Sequence, residues 1–418
     1  MQHFQSELNT IQKKWSHKSS KLLSLRNTAF EHFTHLGFPT KKWEDWQFTD
    51  FSPFEKIEYQ MGKRKEINPD DYLIQESLKE VYSIVILNGQ FLPEQSKIPK
   101  GVFIQTLLDI FLKNAQIEDN RNPFYALNTS LMNSGLSVHV PDGLHVDKPI
   151  HLLSLTTGLH SPTMNHPRLV IKIGNNSSAT ILEQYTGRRN TQYWNNCVTI
   201  IDVGKSGIFH HYRLQEDTGY HTETLDYHIE KDASLNAVQF NKDTELYRGD
   251  LYLHYGGQNA SAQFNGLSLL NMNQHMDTRV IVNHNQPNCQ SHQFFKYILD
   301  DKATGVFNSR VVVEKDSHKT DSSQSNKNLL LSSSSSMHSN PQLEIYADDV
   351  RCSHGSSTGQ INEDALYYLR SRGIDFKTAQ MLMVEGFASE VFSLVKDKTI
   401  STYFGSKLSR WLEESSHE

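Results

Sequence analysis

Residues 198–214 read VTIIDVGKSGIFHHYRL. Two runs rich in β-branched and aromatic residues, Val198 to Val203 and Ile208 to Leu214, flank the short polar link Gly204-Lys205-Ser206-Gly207. Such runs bounded by Gly and Ser read as strands and a turn. The same texture extends from about Leu136 to Ser353. Further β-type runs are Leu136 to Val140, Ile150 to Leu155, Leu169 to Ile173, Thr180 to Gln184, Thr224 to Ile229, Gly249 to Leu253, Arg279 to Val282, Gly305 to Val313 and Leu343 to Tyr346. Gly, Asn, Asp and Ser sit between them, and helical periodicity is nearly absent. A single sandwich of that length would be large. A stacked β-solenoid absorbs the length more naturally, because each turn adds strands without enlarging the core section. No clean short repeat motif is visible. The expected core is therefore a β-solenoid within a mainly β protein.

Both ends change texture. Phe4, Leu8, Ile11 and Trp15 recur at helical spacing, as do Leu22, Leu25, Ala29, Phe33 and Leu36, and Gly37 with Pro39 is a stop signal. Trp43 and Trp46 are three apart and read as a packing anchor on one helical turn. Residues 61–71, MGKRKEINPDD, read as a solvated linker. Val81 to Leu87 is a strand closed by the tight-turn pair Asn88-Gly89. Phe103 to Ala115 reads as a short helix. The tail is helical again: Asn362 is an N-cap with Glu363 and Asp364 in the first turn, and Gly373 is a C′ residue. A second helix after Asp375 carries the stripe Ala379, Leu382, Phe387, Val391 and Val395, giving a helical hairpin. Its stripe packs on its own domain or docks in a partner's groove. Ser332 to Ser336 is a flexible loop or a polar solenoid turn. The expected organisation is a helical region 1–80, a mixed segment 81–135, the β-helix 136–355 and a helical region 356–418.

The chain has 418 residues, 41 Lys+Arg against 47 Asp+Glu, and a net charge of −6. That balance excludes a strongly basic nucleic-acid binder. No apolar run approaches the roughly 18 residues of a membrane span. Met1 to Thr10 lacks a secretory signal's pattern, so a cytoplasmic home is expected. Cys197, Cys289 and Cys352 are far apart, with no CxxC pair, which excludes a disulfide framework and a Cys-rich zinc site. Hydrophobic residues make up 37%, low for a compact globule and suited to a fold that stacks polar residues in its faces and turns.

The most informative stretch is residues 341–360, PQLEIYADDVRCSHGSSTGQ. Leu343, Ile345 and Ala347 alternate with polar neighbours, and Asp348-Asp349 allows a bend. Cys352 and His354 follow at a spacing of two. On an extended backbone they share one face, roughly 6.5–7 Å apart at Cα. One thiolate and one imidazole can approach a common iron or zinc, but a closed site takes four ligands. The pair is thus a half-site completed elsewhere, or a buried structural cysteine beside a surface histidine, which spacing alone favours. A Cys-His nucleophile would lack an orienting third group. His284, Cys289 and His292, in HNQPNCQSH, read as a structural turn rather than a metal cluster. Phosphate-loop and Rossmann fingerprints are absent.

The 341–360 stretch resembles the SufB/SufD family of the SUF iron–sulfur cluster assembly machinery, and its SufD branch in particular. Leu87 to Phe91, Gly101-Val102, Phe124 to Asn128, Val138 to Pro141 and Pro149-Ile150 are similar to family segments in the same order. So are Phe307-Asn308, Val311 to Val313, Lys319-Thr320, Gln324, Asn326, Asn328 to Ser332 and EDALYYLRSRGI at 363–374. Ser309, Ser317-His318 and the serine run depart from the pattern. The resemblance implies a right-handed parallel β-helix flanked by helical N- and C-terminal regions. It also implies a non-catalytic subunit of a complex with SufB and the ATPase SufC. Cys352 and His354 would then bind iron or a transient Fe–S cluster shared with SufB. The C-terminal helices, including Tyr367, Arg370, Arg372 and Gly373, would dock SufC. A homodimer of the isolated chain, and a flavin in the full complex, are further expectations of the resemblance. The competing readings are a SufB-type scaffold, a β-helix polysaccharide-active enzyme and a Cys-His hydrolase.

Overall fold

The computed structural model describes residues 1–15, 20–63, 78–106, 122–132, 135–158, 162–188 and 191–415. Two helices, α1 (Gln2–Trp15) and α2 (Ser20–Leu36), come first. Short strands follow: β1 (Gln60–Met61), β2 (Tyr82–Leu87), β3 (Gln90–Phe91) and β4 (Phe103–Thr106), then helix α3 (Pro123–Leu131). Strands β5 (Gly135–Val140), β6 (Ile150–Thr156), β7 (Thr163–Asn165), β8 (Arg168–Ile173) and β9 (Ser178–Gly187) begin the main body. It continues with β10 (Tyr193–Val203), β11 (Ile208–Glu216), β12 (Tyr220–Ile229), β13 (Ser234–Asn241), β14 (Leu246–Tyr255) and β15 (Ser261–Leu270). The last strands are β16 (His275–His284), β17 (Gln290–Leu299), β18 (Thr304–Val313), β19 (Asp321–Leu330), β20 (Ser336–Ile345) and β21 (Arg351–Gln360). Helices α4 (Glu363–Ser371), α5 (Phe376–Phe392) and α6 (Lys398–Ser415) close the described chain.

Successive strands alternate between two sheets. One runs β20-β18-β16-β14-β12-β10-β8-β5-β4 and the other β21-β19-β17-β15-β13-β11-β9-β6-β2-β3. The ladders between coils are parallel and in register, so the chain forms a β-solenoid of about seven coils, from β8/β9 to β20/β21. Val198 pairs with Thr224, Leu246 with His275, and Thr304 with Ser336. The coils therefore take 26, 29 and 32 residues, which explains why no fixed sequence period shows. The repeat lies in the corners instead. Asn176, Ser206, Asp232, Asn259, Asn288, Lys319 and Asp349 all adopt positive φ at one stacked turn, where Asn and Asp tolerate the left-handed region best. The turns bond to one another: Asp232 N–H donates to Gln258 O (3.1 Å), Asn288 N–H to His318 O (2.9 Å) and Lys319 N–H to Asp349 O (2.8 Å).

The helical ends each bury part of the outer face of one sheet. Phe4, Leu8, Phe33 and Phe38 pack with Trp46, Phe124 and Trp194 over the first sheet. Trp46 is the anchor the sequence suggests, whereas Trp43 is only half-buried against the same cluster. The pair sits at a short 3-10 turn, Glu44–Trp46, rather than an α-helix. On the second sheet, Leu182, Tyr212, Leu214, Phe240 and Leu267 meet Val384, Val391, Phe392, Phe404 and Trp411. Here the tail differs from its sequence reading. A third helix, α6, completes it; Ala379, Val391 and Val395 are buried as read, but Leu382 is exposed and Val384, Ala388 and Phe392 join the buried stripe. Phe103 to Thr106, read as the start of a helix, is strand β4 paired antiparallel with β5; residues 107–115 lie outside the described residues, as do 64–71 of the linker.

Inside the solenoid, an apolar cluster of Ile181, Ile201, Leu225, Leu251, Phe264 and Val282 adjoins a fully buried charged knot. Arg213 lies between Glu183 (3.4 Å) and Glu223. Glu183 also faces His211 Nε2 (3.0 Å) and accepts from Tyr185, and Glu223 accepts from Tyr247. Burial alone would push both carboxyls up; Arg213, with His211 on Glu183 and His221 on Glu223, holds each down to about 2. Groups whose native pKa is depressed stabilise the fold above their unfolded value, near 4.3, and lose that contribution as pH falls through the native value. Acid titration monitored by circular dichroism is expected to show stability declining from about pH 5 towards pH 2. Each carboxylate contributes on the order of 3 kcal/mol at neutrality. Glu183→Gln should flatten that acid limb and lower stability at neutral pH, because Arg213 loses a buried partner.

Candidate functional site

The last coil is uncovered on one side. β20 pairs with β18 and β21 with β19, and among the described residues no strand pairs with their outer edges. β21, RCSHGSSTGQ, has little strand propensity of its own. It is extended because ten of its residues pair in register with Asp321 to Leu330. Cys352 stands opposite Ser322, His354 opposite Gln324 and Ser356 opposite Asn326. Ser322, Gln324 and Asn326 are buried inside the solenoid, so Cys352, His354 and Ser356 point the same way. Ser356 Oγ spans the interior to Ser339 Oγ (2.8 Å) on β20. These side chains occupy interior positions, yet nothing caps them. Cys352 is half-buried against the apolar core, and His354 is exposed.

The shared face that a spacing of two implies is thus present. Burial pushes the Cys352 thiol up, only partly offset by a hydrogen bond from the Ser322 backbone. Among the described residues, no three His, Cys, Asp or Glu side chains converge on a metal position, so this chain offers two donors here. The layer below is polar. Gln324 Nε2 donates to Ser309 Oγ (2.7 Å), which donates to Gln293 Oε1 (2.6 Å). Gln324 Oε1 and Asn328 Oδ1 are buried acceptors without a partner.

The second candidate cluster separates into structural roles. His284 is buried with Nε2 2.8 Å from Ser291 Oγ, and burial lowers its pKa to about 3. Cys289 is buried at a turn with Sγ 3.4 Å from Gly257 O. His292 Nδ1 lies 2.9 Å from Ser323 Oγ on the other face of β17. Ser317, one of the departures from the family pattern, donates to His284 O (2.7 Å). The serine run forms a tight turn, with Ser335 Oγ donating to Ser332 O (2.8 Å), before Ser336 opens β20.

Helix α4 lies away from the core, with none of its residues buried. Asn362 caps it by accepting from Ala365 N–H (2.9 Å). Gly373 ends it at φ +88°, with Ile374 N–H donating to Leu369 O (3.3 Å) and Gly373 N–H to Arg370 O (3.0 Å), a Schellman pattern. Tyr367 is 75% exposed and Tyr368 56%. Arg372 lies over the Tyr368 ring at 5.0 Å and Arg370 over Phe376 at 5.7 Å.

Two family models together account for nearly the whole chain. Residues 155–387 match the SufBD core domain of SUF system FeS cluster assembly, and residues 1–152 match the SufBD protein N-terminal region. This chain belongs to the SufBD family. It is 31% identical over 402 residues to an iron–sulfur cluster assembly SufBD family protein of Synechocystis, covering 90% of this chain and 88% of that one. It is 27% identical to the iron–sulfur cluster assembly protein SufD of Escherichia coli over 377 residues, 88% and 89% of the two chains. The chloroplastic protein ABCI7 of Arabidopsis thaliana is 25% identical over 408 residues, 91% and 84%. The family's role is Fe–S cluster assembly. No described helix is long and apolar enough to cross a membrane.

Within this SufBD-family fold, sequence reasoning missed the orphan acceptors under β21. It also missed the aromatic strap in which Phe48 stacks on His338 of β20 at 4.0 Å. The deeply buried Cys197 and Cys289 set a test. Near neutral pH, a maleimide should label native protein slowly and at Cys352, with the other two thiols reacting only after denaturation. Labelling should accelerate as pH rises, because the raised pKa keeps the thiolate fraction small. Peptide mass spectrometry showing native labelling of Cys197 would contradict the closed interior.

Proposed function

We propose that this protein is the non-catalytic, SufD-type subunit of a SufBCD complex, helping iron acquisition and de novo Fe–S cluster assembly at an interface with SufB. The observation that carries the reading is the open last coil. Two ten-residue strand edges, a half-buried thiol, an exposed imidazole and unpartnered buried acceptors lie together where a further coil would stack. A two-donor set is incomplete for iron or a cluster by itself. It becomes a ligand set when a second subunit covers the coil and adds its own donors. Iron and sulfide are cargo in this arrangement. Cys352 must lose its proton to bind iron, and covering by charged or metal-bearing partner groups lowers the barrier to that loss. His354 would supply an imidazole nitrogen as the second donor.

The α4 surface supports the second partner. Tyr367, Tyr368, Arg370 and Arg372 form an exposed aromatic and guanidinium patch, the composition that anchors protein interfaces. It is held rigid by two capped helix ends and by α5 and α6 packed on the second sheet. Lys407 Nζ pins α6 by donating to the buried Glu216 (2.7 Å). In this reading the patch docks SufC, whose ATP hydrolysis drives rearrangement at the SufB contact. An edge that takes a paralogue's strand also takes a second copy, so the isolated chain is expected to form a homodimer.

Co-expression with SufB- and SufC-type chains and anaerobic isolation tests both parts. His354→Ala should leave the three-subunit complex intact and reduce its iron and sulfide roughly tenfold. Wild-type metal content in that variant would remove His354 from the ligand set. Tyr367→Ala, at an exposed position, should fold normally and weaken SufC binding by about 2 kcal/mol, read by calorimetric titration; unchanged affinity would place the SufC contact elsewhere.

A further inference from the structure

One pair in the interior of the last two coils is left unjoined. Gln324 of β19 and His354 of β21 are register partners on parallel strands, about 4.8 Å apart in the main chain. Their neighbours along the same two strands are joined. Ser356 Oγ donates to Asn326 Oδ1 (3.3 Å), and Asn328 Nδ2 donates to Thr358 Oγ1 (3.1 Å). Gln324 and His354 share no such bond, although Gln324 is only 3% exposed and its Oε1 is shielded from water without a partner.

The Gln324 amide is fixed from below. Its Nε2 donates to Ser309 Oγ (2.7 Å), and Ser309 Oγ donates in turn to Gln293 Oε1 (2.6 Å). Each group donates inward, so the head of the chain is an acceptor that needs an N–H or O–H. The residue stacked on Ser309 in β20 is Pro341, whose side chain has no donor. The residue stacked on Gln324 is His354, and an imidazole carries the missing N–H. Gln293 Nε2, one coil further in, also lacks a partner and is the rival donor. The same solenoid already holds a histidine in this way. Between the neighbouring parallel strands β6 and β9, His151 Nε2 lies 2.7 Å from Gln184 Oε1, and Gln184 Nε2 donates onward to Glu216 Oε1 (2.8 Å). An amide oxygen only accepts, so His151 carries its proton on Nε2.

We infer that Gln324 is the positioning residue of His354: its Oε1 accepts the N–H of one ring nitrogen and leaves the lone pair of the other free for iron. The inference rests on the ligand role proposed above for His354 and adds the residue that presents it. The reason lies in the tautomer. A neutral imidazole has one donor nitrogen and one acceptor nitrogen, and a metal takes only the acceptor. A fixed acceptor behind the ring selects one tautomer and one orientation before the metal arrives, which is the service that the outer partner of a metal-binding histidine performs. Gln324 suits this role because Ser309 and Gln293 hold its amide from the inside while His354 itself is uncovered.

The test begins with the full chain alone, without metal or partner. Gln324→Met keeps the length of the side chain and removes the acceptor, and circular dichroism checks its fold. In nitrogen-15-labelled protein, in alkaline buffer where the ring is neutral, long-range nitrogen–proton spectra give the tautomer ratio of His354, assigned by comparison with His354→Ala. The wild-type ratio should differ from that of a histidine in an unstructured peptide. Gln324→Met should return it towards the peptide value by about threefold or more, and Gln324→Glu, which keeps an acceptor, should stay with the wild type. A wild-type ratio equal to the peptide's, or an unmoved ratio in folded Gln324→Met, overturns the inference. Should Gln324→Met fail to fold, the wild-type ratio and Gln324→Glu decide. In the complex co-expressed with SufB- and SufC-type chains, Gln324→Met should keep the subunits together and lose iron several-fold. Full iron there, with iron lost in His354→Ala, overturns the inference and leaves the ligand reading standing. Full iron in His354→Ala removes the ligand reading, and this inference with it.

Discussion

Every coil of this protein depends on the coil beneath it. The in-register parallel ladders satisfy the main chain of each strand from both sides, and the stacked corners bond from Asn176 towards Asp349 in the same way. A buried main-chain donor or acceptor left unpaired is costly, so such a stack is stable wherever it continues and exposed where it stops. At the start it does not stop abruptly. β3 and β4 turn back antiparallel on β2 and β5 and close the sheets. At the other end β20 and β21 are left open. The candidate site, Cys352 and His354, lies where the ladder runs out.

The interior changes character along the axis. In one row, Ile181 is followed by His211, Ala237 and Phe264, then by Gln293, Gln324 and His354. In the next, Ala262 gives way to Ser291, Ser322 and Cys352. Apolar packing holds the middle coils, and amides and hydroxyls hold the last ones. A polar terminal interior suits an end that is wet when free and covered when bound. The charged knot around Arg213 is different. It is sealed, and its carboxylates are held by Arg213, by histidines and by tyrosine hydroxyls, so it is a feature of stability.

The helical ends act on the outer faces only. They leave the last coil's edges free and cover part of each sheet's outer face. α6 and α5 bind the second sheet through a broad apolar contact and the Lys407–Glu216 pair, which lets α4 project with no buried residue of its own. A patch of Tyr and Arg presented on a capped helix, rather than on a loose tail, loses little freedom on binding.

Much of this was legible in the residues. Alternating and β-branched runs announced a long β region, the caps Asn362 and Gly373 announced α4, and a spacing of two placed Cys352 with His354. The strands seen in the sequence from Thr224 onward nevertheless all belong to the first sheet. β13, β15, β17 and β19 escaped, because helices cover part of the outside of the second sheet and polar groups fill part of its inside. Alternation then vanishes, as in DSSQSNKNLL at 321–330. Helix α6 escaped as well. The sequence by itself determined the kind of structure, the polarity of its turns and the pair of donors, since propensity and spacing are local properties. Only the tertiary structure decided that His354 is uncovered, that Gln324 lies beneath it and Asn328 beneath Thr358, and that Pro341 sits on an edge strand. Those facts depend on which strand lies beside which, a relation between residues about thirty positions apart that no local pattern encodes.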